Sequence, residues 1–292
     1  MSEAGHGTDN RGRPVETWPE TVYETAVARW HTLLGPAADV LVRAVTITVG
    51  LHPLEAWVKN REEARDRILT ALTDKVKNIP PAALISPRPM VAQSAIEGMA
   101  GTQEEAEIFD AFANLLANAM VGEHAHKVHP GFPSILKHIS ASEVRLMQWL
   151  FLQWRPGRNK RVPCLRVMAA RVEDKHTFFP VLAFYLGERP HTIFNDNPDM
   201  IASSLNNLVR LGLLHPPEFD PLRPPPAPFP PLEQEVVVQS LLLRMAQTPA
   251  MATTRLDKGY IELTDFGLQF FNACLVPPGM QADRAPLQTT IL

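Results

Sequence analysis

Near the C-terminus the run Ser203-Ser204-Leu205-Asn206-Asn207-Leu208-Val209-Arg210-Leu211-Gly212-Leu213-Leu214 sets apolar residues at helical spacing and closes on glycine. Further on, Gly259-Tyr260-Ile261-Glu262-Leu263 reads as a strand, and Thr264 then caps a last helix, Asp265 to Leu275. A helix, a short strand, and a second strand feeding a capped helix make the element order of a winged helix. Such a module reads or docks another macromolecule, so this feature sets an architecture before it sets any reaction.

The 292 residues exceed one average domain, and 45% hydrophobic with 20% charged residues is an ordinary globular composition. The net charge of −3 supplies no global attraction to nucleic acid or to an anionic membrane. Cys164 and Cys274 stand in unrelated contexts, which fits a reducing compartment and excludes a CxxC site. The N-terminus, Met1 to Pro14, has no apolar signal core. The most membrane-like segment, residues 33–54, is interrupted by Pro36, Asp39, Arg43 and His52, so no stable span is expected. A cytoplasmic protein follows from these readings, with contact between 33–54 and a membrane surface left open.

Along the chain, residues 1–17 read as a disordered tail and 18–134 as a helical domain. Residues 135–276 read as the winged-helix-like domain, with a proline-rich insert at 216–258, and 277–292 as a second disordered tail. Ile68, Leu69, Leu72 and Val76 form one stripe of a helix that Asn78-Ile79-Pro80-Pro81 ends. Thr102 with Glu105, and Ser140 with Glu143, have capping-box spacing. Between them, Ile108 to Met120 shows a wide apolar face, with Glu107, Asp110, Asn114 and Asn118 on the opposite side. Val162 to Val172 and Phe178 to Leu186 read as further helices, and Glu233 to Gln247 as a helix carried by the insert. Asn197-Pro198 starts the Ser203 helix with asparagine at the cap and proline at the first helical position. The expected class is therefore mainly α: an N-terminal helical bundle plus a C-terminal winged-helix-like domain with a small β-wing.

Four patterns bear on chemistry. Ser203, Asn206, Asn207 and Arg210 face outward on the Pro198 helix, and asparagine and arginine can read base edges. The basic run Arg155, Arg158, Lys160 and Arg161 is the best candidate for phosphate contact, although such runs are usually solvated loops. His124, His126 and His129 form the one histidine cluster; zinc is one reading, and histidines completing a helix C-terminus is the simpler one. Arg171 and His176 have the Arg-x4-His spacing of some helical RNA-cleaving toxins, but Glu173 and Asp174 between them would repel a phosphate. No GxGxxG, P-loop, HExxH or nucleophile elbow is present, and no cofactor is expected.

The succession HPLEAWVKN, LTDKVKNIPP, IFDAFANLLANAM, VHPGFPSILKHISASEVRLMQWL, LNNLVRLGLL and YIELTDFGLQFFNAC resembles the abortive infection alpha family. That resemblance runs from about Leu51 to Cys274 and implies a role in bacterial phage defence. It carries over no catalytic residue. The leading expectation is a non-enzymatic protein acting on a protein partner, with oligomeric state undetermined. The alternatives are a nucleic-acid-binding regulator, a toxin RNase, and a membrane-perturbing effector.

Overall fold

The computed structural model describes residues 56–153, 161–195, 197–219 and 231–280; for residues 56–65, 188 and 191 it describes the backbone alone. The basic run from Arg155 to Lys160, the 33–54 segment and the 1–17 tail lie outside these residues, as does most of the 277–292 tail.

The N-terminal part is helical: α1 (Ala56–Val76), α2 (Pro89–Gly101), α3 (Ala106–Met120), the short α4 (Gly122–Ala125) and α5 (Phe132–Leu136), then α6 (Ala141–Gln153). Helix α1 ends before Asn78-Ile79-Pro80, and Ile68, Leu72 and Val76 are buried as their spacing predicts. Helix α2 lies so close to α3 that a Cβ at Gly98 would sit 2.3 Å from the Phe112 ring. The Ser140–Glu143 capping box forms in full, Ser140 N–H donating to Glu143 Oε2 and Glu143 N–H to Ser140 Oγ. The Thr102–Glu105 box does not form. Thr102 Oγ1 donates back to Gly98 O instead, and Glu105 itself occupies the cap of α3.

The rest of the chain corrects the expected fold class. Arg161–Arg171 is strand β1 and Phe178–Tyr185 is strand β2, where helices were expected; Met251–Glu262 is strand β3. They form one antiparallel sheet in the order β2-β1-β3, with β3 paired to β1 from Arg161↔Glu262 to Arg171↔Met251. A 12-residue strand on an 11-residue central strand is no small wing. The protein is mixed α/β, and the winged-helix reading is withdrawn. Around the sheet stand α7 (Glu188–Ile193), α8 (Pro198–Arg210), α9 (Val236–Ala246) and α10 (Asp265–Cys274).

Burial on both faces explains the misreading. Val162 and Cys164 point into the main core, while Leu165 and Val167 pack with Leu182, Tyr185, Leu232 and Val238 in a second cluster. A strand covered on two sides carries an unbroken apolar run, which periodicity alone cannot tell from a buried helix. The main core is continuous from Ile68 on α1 to Val276 beyond α10. Where Leu214 bridges Leu263, α10 passes so near that a Cβ at Gly267 would lie 2.0 Å from Leu213 O.

Candidate functional site

The polar groups with the most unusual settings gather where α3 ends and α4 begins. Asp110, Asn114 and Asn118 follow one another at four-residue intervals on α3, and Asn114 and Asn118 are only 2% and 3% exposed. Asp110 keeps the wet side expected of it, its side chain 56% exposed, whereas Asn114 and Asn118 are enclosed by α1 and by the C-terminal end of α10. Lys75 Nζ lies 2.6 Å from Asp110 Oδ1, and Asn114 Nδ2 donates to Asp110 Oδ2. The Asn114 Oδ1 is buried without a hydrogen-bond partner among the described residues.

Asn118 is the hub. Its Nδ2 lies 3.1, 3.0 and 2.9 Å from the carbonyl oxygens of Asn114, Ala273 and Val276, so its two hydrogens are shared among three acceptors, on α3 and at the two ends of the turn after α10. Donation to carbonyls fixes the amide orientation and leaves Oδ1 as the acceptor. His124 Nδ1, 2.8 Å away, must therefore carry hydrogen and donate to it. Burial, then the nearby Lys127 ammonium, holds the His124 imidazole below its ordinary 6.5; Glu123 opposes and His126 adds to the lowering.

The other two histidines have separate surroundings. His129 Nδ1 accepts from Gly131 N–H at 3.0 Å, and its ring meets Phe266 edge-on at 5.4 Å and Phe132 at 5.6 Å. It thereby extends an aromatic cluster in which Phe132 also meets Phe270. His126 is exposed on the lip of a cavity of about 300 Å³. Val91, Ala119 and Val128 line that cavity from inside, and Ser86 and Arg88 stand with His126 at its mouth. No group of three or more histidine, cysteine, aspartate or glutamate side chains suited to a metal occurs among the described residues.

The remaining sequence candidates among the described residues lie after α6 and do not gather into one site, although Arg210 does meet Asn207. On α8, Asn206 is exposed. Asn207 turns inward, its Nδ2 donating to His138 O and to Glu143 Oε1 at 2.9 Å each, while Arg210 donates to its Oδ1 at 2.7 Å. Asn207 thus secures α8 to the capping box of α6. Arg161 stacks 4.0 Å over Tyr260 and lies 3.4 Å from Glu262. Arg171 and His176 are both exposed at the turn end of the β1–β2 hairpin, Arg171 5.8 Å over Phe179. Between them Asp174 accepts from the backbone of His176 and Thr177. The Thr177 side chain, then those two amides, holds the Asp174 carboxyl below its ordinary range.

Both thiols are buried, and desolvation pushes Cys164 and Cys274 well above the range of a reactive cysteine. The abortive infection alpha profile matches residues 59–274, from α1 to the end of α10 and through the hub. The chain belongs to the abortive infection alpha family. Neither a curated protein nor a solved structure matches this chain. Among the described residues of this abortive infection alpha protein, no helix is long and apolar enough to cross a membrane.

Two residues of this region were not singled out in the sequence: Asn118 at the hub and Arg88 at the cavity mouth. A signal for Asn118 was present. From Ile108 to Met120, phenylalanine, leucine and alanine surround the helix so widely that little circumference remains for a wet face. A helix apolar all round is a buried one, and asparagines within it need internal partners.

Proposed function

We propose that this abortive infection protein limits phage spread without a catalytic step of its own, by docking a protein partner on helix α9. Family membership supports the defence role. The observation that carries the docking reading is the apolar surface of α9. Val236 is 79%, Val237 43% and Leu243 61% exposed, while Val238 alone on that helix is buried. Leu241 and Leu242 rest on the second core cluster, so the helix spends one side on the sheet and presents apolar groups on another. An amphipathic helix offered this way suits a hydrophobic groove on a second protein.

The test pairs a defence assay with affinity purification from infected and uninfected cells, analysing both protein and nucleic acid. The variants are Val236→Glu and Leu243→Glu. Support would be a protein that co-purifies with the wild type, is lost from both variants, and disappears together with phage protection at unchanged melting temperature. Full protection by both variants would refute the reading. Salt-sensitive recovery of nucleic acid alone would favour the nucleic-acid alternative instead.

A further inference from the structure

The cavity beside α4 has a one-sided chemistry. Its floor is closed and apolar, with Val91, Ala119 and Val128 only 1%, 5% and 4% exposed. Its mouth carries Arg88 and His126, and no carboxylate lines it. Among the described residues, neither the Arg88 guanidinium nor the His126 ring makes a hydrogen bond or an ion pair. Among the described residues no acidic side chain is set against this arginine. Arg88 also immediately precedes α2, and no side chain caps that helix, so its first-turn amides add partial positive charge to the same rim.

The geometry points to a binding site for a small molecule with a compact apolar body and one anionic head, carboxylate or phosphate. The apolar body lies against Val91, Ala119 and Val128. The head takes the planar Arg88 fork, whose paired donors match two oxygens of either group, with His126 beside it. A volume of about 300 Å³ is at the small end for ligand pockets, which limits the body to roughly one ring or a short chain. This inference is independent of the α9 docking reading. It concerns a different element and a different class of partner.

The experiment titrates the full-length protein with phenyl phosphate and with phenylacetate, using phenol and benzyl alcohol as neutral counterparts, by calorimetry and ligand-observed NMR. At least one anion is expected to bind saturably in the millimolar range or tighter, about tenfold better than its neutral counterpart, as charge-assisted hydrogen bonds allow. Arg88→Ala is expected to abolish that preference at unchanged melting temperature, and Arg88→Lys to keep part of it. Arg244→Ala, on exposed α9, is expected to leave binding as it was. Absence of saturable binding by both anions, equal binding of the neutral compounds, or binding indifferent to Arg88→Ala would each overturn the proposal. If Arg88→Ala were to unfold the protein, Ala125→Leu, which narrows the cavity from a half-buried wall, must weaken the anion; unchanged affinity there would overturn it as well.

Discussion

Replacing Asn118 with leucine tests the hub most directly. The change keeps the branched side-chain shape, suits a helix and opens no cavity, so its effect reports the lost hydrogen bonds together with the extra room two methyl groups need. Asn118 Nδ2 lies 3.0 Å from Ala273 O and 2.9 Å from Val276 O, and His124 Nδ1 reaches Oδ1 at 2.8 Å. Each net hydrogen bond contributes about 1 kcal/mol, and each buried polar group left without a partner costs about 1–3 kcal/mol. Two stranded carbonyls and one imidazole N–H, the last only half-buried, therefore sum to about 3–5 kcal/mol. That is a large share of the roughly 5–15 kcal/mol that separates folded from unfolded domains. Urea unfolding followed by circular dichroism should show the loss in the midpoint with little change in slope. A deficit below about 1 kcal/mol would refute the hub, because typical surface substitutions already reach half of that. Adding His124→Leu completes a double-mutant cycle in which a coupling of about 0.5 kcal/mol or more is expected; additive effects would dismiss the Asn118–His124 bond.

Two further outcomes follow from the same region and from the close approach of α10. His124 has its folded value held below 6.5, so the unfolded chain binds that proton more readily. Its contribution to stability is present above 6.5 and is lost as pH falls through the lowered folded value. Urea midpoints taken on either side of 6.5 should fall less on acidification in His124→Gln than in the wild type, and equal falls would contradict the assignment. Gly267→Ala would place a Cβ 2.0 Å from Leu213 O, which is backbone and cannot swing aside. It should cost about 3 kcal/mol or more, the upper end of overpacking, whereas Gly101→Ala, with nothing within 4 Å of its Cβ, should be neutral or slightly stabilising in thermal melts.

Local signals with a single physical meaning were legible in the chain. Asn197 caps α8 as its pairing with Pro198 predicts, accepting from Asp199 and Met200 N–H, and Gly212 takes φ +73 just past that helix. Thr264 accepts from Gly267 N–H at 2.7 Å, and the insert does carry a helix. What failed was every inference needing knowledge of a distant neighbour. Val162 to Arg171 looks helical until Met251–Glu262 is laid along it and α9 covers its other face. The wet side assigned to α3 holds for Asp110 and fails for Asn114 and Asn118, since the carbonyls of the turn after α10 arrive from the far end of the chain. The histidine cluster was visible as composition, but its division into hub, cavity mouth and aromatic cluster depends on which way each ring turns.

The same long-range pairing gives meaning to the exposed side of α9. An isolated helix of 11 residues is marginal in water, so α9 depends on what holds it to the sheet. That hold is modest: Val238 is buried among Leu165 and Val167, and Lys258 reaches Glu233 at 2.7 Å just before the helix. Nothing in this anchoring requires valine at 236 or leucine at 243, and both lie mostly in water. If those residues had no role, polar replacements would be neutral in every assay, since exposed substitutions usually change stability by no more than about 0.5 kcal/mol. If they served the fold through contacts absent here, glutamate would lower the melting temperature. Docking alone predicts a third combination, in which Leu243→Glu leaves the melt unmoved and removes protection. The melt and the plaque count together therefore distinguish an idle surface from a structural one and from an interface.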